Sequence, residues 1–281
     1  HYQVFSNDEF TKMLKHELYK KMEVMNDKID PFRVSLRNRL AKRHNLKVVD
    51  VFVDGFARAQ MIDKEFFIDK YGHEISGDRY DEVENFSDGF ARVKKGETFS
   101  FIDKNGEELP GAIYERAENF SDGFAMVIVG KGSYFIDKTG KEAFNEKYED
   151  ANSFCDGLAR VSKDGKYFFI NKSGNKISNE VYYYAGDFSD GVAEVGQGNK
   201  YFFIDKSGKP ISDEIYDDAG QFSEGLIRVK NANRWFYINN KGKRVFDGSF
   251  DSATEFFEGI AKVNEGGDLF FIDKLGNKLF D

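Results

Sequence analysis

From residue 46 onward the apolar positions come in runs of four to seven, rich in Phe, Tyr, Val and Ile, broken by Gly, Asp, Asn and Ser. The stretch from Tyr80 to Ile113 reads YDEVENF, SDG, FARVKK, a turn at GE, TFSFIDK, NG and a tail EELPGAI. Short β-branched and aromatic runs closed by turn residues predict strands joined by hairpins. A helix would have to pass through the glycines, each costing about 1 kcal/mol against Ala. Gly55, Gly89, Gly123, Gly157, Gly191, Gly225 and Gly259 recur every 34 residues, and Gly72, Gly106, Gly140, Gly174, Gly208, Gly242 and Gly276 keep the same period. A fixed period of this size marks a repeat array. The pattern predicts seven repeats of three clear strands and a short fourth, with the glycines at hairpin turns.

Strand three is apolar on successive residues, as in Phe66-Phe67-Ile68, Tyr134-Phe135-Ile136 and Tyr201-Phe202-Phe203-Ile204. Continuous rather than alternating hydrophobicity implies cover on both faces, which stacked sheets supply. Tyr80, Tyr114, Tyr148, Tyr182, Tyr216 and Phe250 recur at the start of strand one, and Phe52, Phe86, Phe120, Phe154, Phe188, Phe222 and Phe256 before the first turn. These columns are read as core rather than as a stacking platform.

The motifs Y-x-x-A-x-x-F-S-[DE]-G-[LF]-A-x-V and [YF]-F-I-[DN]-K-x-G-K are clearest at Tyr148–Lys176 and Tyr216–Lys243. On these motifs the chain resembles the bacterial WG-repeat family over residues 46–281. The Trp-Gly pair itself is absent; Trp235 is followed by Phe236, and elsewhere the pair reads Tyr167-Phe168 or Tyr201-Phe202. The resemblance implies an interaction scaffold without a shared reaction. The expected fold is mainly β: seven hairpin repeats forming a β-propeller-like ring, with an open β-superhelix as the alternative. Hidden edge strands favour the ring; the atypical first repeat, with Leu46 for Tyr and Val53 for Ser, favours an open array.

Residues 1–45 have a different pattern and form a separate segment before the array of 46–281. Ser6-Asn7-Asp8-Glu9 reads as a capping box, and Phe10, Met13, Leu14, Leu18, Met22 and Met25 follow on one helical stripe. Asp30-Pro31 opens a second predicted helix. Arg33, Arg37, Arg39, Lys42, Arg43 and Lys47 give +6 over residues 31–47 with no acid, against a net charge of −8 for the whole chain. Three readings follow for this basic helix: a cap on the acidic array, a partner-binding helical hairpin, or contact with nucleic acid or an anionic membrane. The acidic remainder disfavours nucleic acid. A chain starting at His1 rather than Met is compatible with a removed signal peptide or a further domain upstream. A soluble protein, either bacterial cytoplasmic or exported, is expected, since no apolar run is long enough for a membrane-spanning helix.

Chemistry-bearing motifs are sparse. The four His residues are His1, His16, His44 and His73, and no nucleophile elbow, zinc-protease helix, phosphate loop or dinucleotide fingerprint occurs. Cys155, the single cysteine, stands where other repeats have a turn Ser. Asp103–Glu108 carries part of a calcium-loop pattern but lacks its full ligand ladder, and a hairpin turn explains it. No catalytic residue, metal site or cofactor is assigned.

One column varies. Three residues after each first-series Gly stand Arg58, Arg92, Met126, Arg160, Glu194, Arg228 and Lys262. If the SDG turn closes a three-residue hairpin, the diagonal partners are Glu82/Arg92, Asp150/Arg160 and Asp218/Arg228, a structural pairing. The alternative is that Arg58, Arg92, Arg160 and Arg228 face a channel and grip an anionic ligand. Tyr182-Tyr183-Tyr184 is the most irregular exposed-looking aromatic cluster and a second candidate ligand site. The expected function is a non-enzymatic scaffold for protein or ligand binding. The alternatives are a carbohydrate-binding protein or an enzyme with a site assembled across repeats, and nucleic-acid or membrane contact through the basic helix.

Overall fold

The computed structural model describes residues 48–49, 52–111 and 113–279. By contact the chain divides into two compact parts, one ending at Asn85 and one starting at Phe86. The predicted N-terminal helices, with Arg33, Arg37, Arg39, Lys42 and Arg43, lie outside the described residues. No helix among the described residues is long and apolar enough to cross a membrane.

In the first part, Phe56–Met61 and Lys64–Asp69 form a long hairpin with Val48–Val49 as a third strand. The second part holds six further long hairpins, from Phe90–Lys95 with Thr98–Asp103 to Ile260–Glu265 with Asp268–Asp273. In repeats three to six a two-residue strand one, such as Asp150–Ala151, completes a three-stranded antiparallel sheet. The expected fourth strand forms only in repeat seven, as Lys278–Leu279. Elsewhere it shrinks to a single bridge, for example Ile170 with Lys176. The tail turns away because its next residues are turn formers: the Glu180 N–H donates to Ser178 Oγ (3.2 Å) and the Glu214 N–H to Ser212 Oγ (3.3 Å). Among the described residues each sheet is open.

The first turn is tighter than expected. Asp88 (φ 54°) and Gly89 (φ 95°) both occupy the left-handed region, and Ser87 and Phe90 exchange both backbone bonds around them. That is a two-residue hairpin of the kind Asp-Gly favours, its backbone twist matching that of the strands. Between the Ser121–Phe124 bridge and the Ala117–Val127 pair the register slips by one residue. The slip restores at strand one the register that a three-residue loop would have given.

The aromatic columns are core. Tyr114, Tyr148, Tyr182, Tyr216 and Phe250 are buried, as are Phe120, Phe154, Phe188 and Phe256. Each apolar layer joins strand three of one repeat to the columns of the next: Met126 and Phe135 of repeat three pack with Tyr148, Phe154 and Phe168 of repeat four. Edge-on ring pairs mark four of these seams: Phe101–Phe120 (4.9 Å), Phe135–Phe154 (5.0 Å), Phe169–Phe188 (4.8 Å) and Tyr237–Phe256 (4.8 Å). This geometry is favoured beyond simple burial.

Polar stitches reinforce the same seams, and the Ser-Asp-Gly turn supplies them. Ser87, Ser121 and Ser223 each donate a hydroxyl hydrogen to the carbonyl of the next repeat's Phe, at 2.6, 2.6 and 2.7 Å. The following acid accepts the N–H of the next repeat's turn glycine: Asp88 from Gly123 (2.6 Å), Asp122 from Gly157 (2.8 Å), Asp156 from Gly191 (2.9 Å) and Glu224 from Gly259 (2.9 Å). A lysine from the next repeat's second turn pairs with that acid: Lys138, Lys172, Lys206 and Lys274. The turn glycine therefore serves twice, reaching positive φ and presenting its N–H to a neighbour.

Burial alone would raise the Asp122 carboxyl, but the Gly157 N–H and the Lys172 ammonium outweigh it and hold it below its ordinary 3.8. A carboxyl depressed on folding adds stability that is complete above the ordinary value and is lost as pH falls through the depressed one. Asp122→Ala is therefore expected to cost about 1–2 kcal/mol at neutral pH, mainly through the charged hydrogen bond rather than the half-exposed ion pair. Thermal melts should show the gap to wild type narrowing at strongly acid pH; an equal gap at every pH would contradict the stitch.

Candidate functional site

Strand one of each repeat presents an outward carbonyl. Ala185 faces Val195 and Ala219 faces Val229 at positions flanked by hydrogen-bonded pairs, so these alanines make no ladder bonds and point them off the sheet edge. An unpaired carbonyl at a seam needs a donor, and the arginine column provides it. Arg58 Nη1 donates to Val83 O (3.0 Å), Arg160 Nη1 to Ala185 O (3.1 Å), Arg228 Nη1 to Ala253 O (3.3 Å), and Arg92 Nη1 to Ala117 O. Carboxylates of the next repeat add charge: Asp187 lies 3.4 Å from Arg160 Nε and Glu255 2.7 Å from Arg228 Nε. The guanidinium groups of Arg160 and Arg228 also lie over Tyr167 (5.1 Å) and Trp235 (4.4 Å). The diagonal pairs Asp150/Arg160 and Asp218/Arg228 expected within one repeat are thus replaced by partners in the next. Registry inside the sheet is as read, but the long side chain reaches past its own sheet to the unsatisfied carbonyl.

Two positions break the column. Met126 is buried in the layer between repeats three and four. Glu194 instead lines a cavity of about 400 Å³ together with Tyr184, Tyr201, Asp218, Ala219, Gly220, Gln221, Arg228 and Glu255. This volume falls within the range of small-ligand sites. The cavity sits at the seam of repeats five and six, and among the described residues that seam lacks the serine, acid, lysine and arginine stitches described above. Among the described residues Ser189 makes no bond to Phe222, Asp190 has no partner at Gly225, and the lysine position holds Asn240. The edge-on ring pair is missing too, and Phe222 is only partly buried. What joins repeats five and six is an apolar layer, Val192 and Phe203 packed with Tyr216, Ile227, Val229 and Phe236, together with the Tyr201–Tyr216 backbone bridge and the Lys200–Asp217 ion pair.

The Tyr184 hydroxyl donates to Glu194 Oε2 (3.4 Å), and the rings of Tyr184 and Tyr201 meet edge-on at 5.8 Å. Burial pushes the Glu194 carboxyl up from its ordinary 4.5 to about 7; Tyr184 opposes the rise, Asp218 adds to it and Arg228 opposes it. Two glycines outside the periodic series shape the wall. A Cβ on Gly220 would meet Glu255 Oε1 at 2.6 Å and Arg228 Cγ at 2.7 Å, and one on Gly196 would meet Tyr184 Cβ at 3.1 Å. Gly220 lets the Arg228–Glu255 pair fold down along the cavity floor.

The tyrosine cluster divides. Tyr182 is buried core rather than exposed, because it continues the column begun by Tyr114 and Tyr148. Tyr183 is exposed, with the Lys166 ammonium over its ring. Only Tyr184 lines the cavity, and of the arginine column only Arg228 does. Glu194 was visible in sequence as the acid in a basic column, whereas Tyr201, Asp218, Gln221 and Glu255 occupy ordinary repeat positions and carry no signal alone. Cys155 is an exposed thiol whose pKa is raised by partial burial and by Asp156, Asp187 and Asp122, the reverse of an activated nucleophile. Among the described residues no group of three or more His, Cys, Asp or Glu side chains is placed to hold a metal ion.

A carboxyl raised on folding adds stability that is complete below its ordinary value and is lost as pH rises through the folded one. Removing the charge is expected to undo that loss. Glu194→Gln should therefore raise the melting temperature at pH 8, by an amount equivalent to on the order of 1–3 kcal/mol, and change it little at pH 4. A gain of equal size at both pH values would contradict the buried, titrating carboxyl.

A model of the WG containing repeat matches six consecutive segments: residues 66–99, 99–131, 135–167, 167–201, 201–235 and 235–267. No curated protein matches the sequence. Among solved structures, BamB from Moraxella catarrhalis is similar at 11% identity and a TM-score of 0.39, over 81% of this chain and 80% of that one. Hsv2 from Kluyveromyces marxianus is similar at 10% identity and a TM-score of 0.43, over 78% of this chain and 88% of that one. Likeness of this degree carries no chemistry across. Each matched segment opens in strand three of one repeat and runs through the seam into the hairpin of the next. On those six matches, spanning most of the array, the chain belongs to the WG containing repeat family.

Proposed function

We propose that the array is a non-enzymatic binding scaffold and that its ligand or partner engages the seam between repeats five and six. The observation that carries this reading is the contrast between seams. Elsewhere in the second part at least two kinds of polar stitch fill the joint. At this one the repeat's own donor is replaced by Glu194 and a cavity stands in its place. Natural repeats differ from their siblings where packing does not dictate the residue, and a change that opens a concave polar site is the kind a binding role would retain.

The chemistry of the site suits recognition better than turnover. Glu194 and Tyr184 could exchange a proton, but the other two carboxylates of the wall are already engaged, Asp218 by the Ala219 N–H and Glu255 by Arg228, and the Arg228 guanidinium is held in turn by Glu255, Ala253 and Trp235.

The test compares wild type with Glu194→Arg, which returns the repeat's usual residue to the column, and with Arg92→Gln, which removes a stitch far from the cavity. Affinity capture read by mass spectrometry should show a partner retained by wild type and by Arg92→Gln but lost from Glu194→Arg. Retention unchanged in Glu194→Arg would place binding elsewhere, and turnover of a captured small molecule would overturn the non-enzymatic reading.

A further inference from the structure

The cavity keeps two of the three parts of the sockets that hold arginine in the sibling repeats, at the same offsets along the chain. Counting from the column residue, the ring seven positions on is Phe99, Tyr167 or Trp235 in the occupied sockets, and Arg92, Arg160 and Arg228 lie over it at 5.3, 5.1 and 4.4 Å. The carbonyl acceptor stands 25 positions on, at Ala117, Ala185 and Ala253. A carboxylate follows 26 or 27 positions on: Glu118 at 4.0 Å, Asp187 at 3.4 Å and Glu255 at 2.7 Å. Counted from Glu194, the same offsets fall on Tyr201, Ala219 and Gln221, and all three line the cavity. The ring and the outward carbonyl are present, but the guanidinium that would bridge them is not. A carboxyl projects from its place.

The vacancy has a definite chemical complement. Ala219 O accepts no hydrogen bond among the described residues, and Glu194, an acceptor when ionised, cannot supply one. Asp218 and Gln221 add side-chain oxygens to the wall. Such a set asks for a flat, multiply donating cation that lies over Tyr201, which is what a guanidinium group is and an ammonium is not.

From this geometry, and resting on the binding reading above, we infer that the seam of repeats five and six is a receptor for a guanidinium group supplied from outside the chain, in place of the arginine its siblings supply to themselves. The group can belong to a free arginine-like molecule or to an arginine side chain of a partner protein. In either case it donates to Ala219 O and Glu194, stacks on Tyr201, and supplies the stitch that the column arginine makes at the sibling seams. Binding is linked to the protonation of Glu194, which is faced by Tyr184 and Tyr201 from its own sheet, by Asp218 and Arg228 from repeat six, by Glu255 from repeat seven and by Arg160 through Tyr184. A cation favours the ionised carboxylate, so affinity should rise between pH 6 and pH 8.

The test titrates the whole protein by calorimetry with Nα-acetyl-arginine methylamide, with free arginine, and with the citrulline and lysine counterparts of the capped probe. Saturable binding of the capped arginine is expected, with citrulline at least about tenfold weaker, since it lacks the charge but keeps the shape. Comparable binding of free arginine would point to a small-molecule source, and preference for the capped form to a partner's side chain. Glu194→Arg should fill its own socket, abolish probe binding and raise the melting temperature. Should that variant fail to fold, Gln221→Glu, which restores the acid found at this position in the Arg160 and Arg228 sockets, should tighten binding several-fold, and Glu194→Gln should erase the pH dependence. Equal affinity for arginine and citrulline, or probe binding undiminished in folded Glu194→Arg, would overturn the inference. Loss of a captured partner in Glu194→Arg without any arginine binding would leave the binding seam standing and remove the guanidinium assignment.

Discussion

Everything in the array depends on how the edge of one small sheet is joined to the next. A three-stranded sheet of two six-residue strands and one two-residue strand has too little core to stand alone, and its short strand one leaves a carbonyl pointing outward. The joint solves both problems at once. Strand three of one repeat and the Tyr and Phe columns of the next share an apolar layer, while serine, acid, lysine and arginine from the turn and strand two supply the polar contacts. The apolar layer provides most of the driving force; the stitches satisfy backbone groups that would otherwise be left at a seam without partners. The Ser-Asp-Gly tripeptide is thereby a connector as much as a turn.

Repeat five keeps the apolar layer of this joint, the Tyr201–Tyr216 backbone bridge and the Lys200–Asp217 ion pair, and loses the serine, acid, lysine and arginine contacts. Among the described residues the side chains of Ser189 and Asp190 make no bond to repeat six, Asn240 replaces the lysine, Glu194 replaces the arginine, and Phe222 is left partly exposed. No single substitution produces a site. Glu194 alone would put a carboxyl against a carbonyl; with Gly196 and Gly220 clearing the walls and Tyr184 and Tyr201 framing the mouth, the same change yields a cavity lined by acceptors. A repeat array makes such a site recognisable because six siblings show what the position ordinarily contains.

Much of this was legible in the sequence, in proportion to how local its cause is. The turn glycines, the strand runs and the aromatic columns follow from steric rules and burial preference within one repeat, and each is found where the pattern puts it. The two-residue turn with its register slip was not legible, because Ser87–Phe90 pairing and a three-residue loop leave the same residues facing at strand one. The partners of Arg160 and Arg228 were misplaced for a related reason. Hairpin registry suggested a pair inside the repeat, yet the controlling group is a backbone carbonyl one repeat on, which has no sequence signature. Tyr182 looked like part of an exposed cluster only because two irregular tyrosines follow it. Glu194 could be seen as an exception; that the exception opens a cavity required the neighbouring repeat's position.

Amide hydrogen exchange at the turn glycines tests the central claim most directly, because each reports one seam. The N–H groups of Gly157, Gly191 and Gly259 donate to Asp122, Asp156 and Glu224, whereas among the described residues Gly225 at the seam of repeats five and six has no such acceptor. Slow exchange is expected at Gly157, Gly191 and Gly259 and fast exchange at Gly225. Protection of Gly225 equal to that of the other three would show the fifth seam to be stitched like its siblings and would contradict the account.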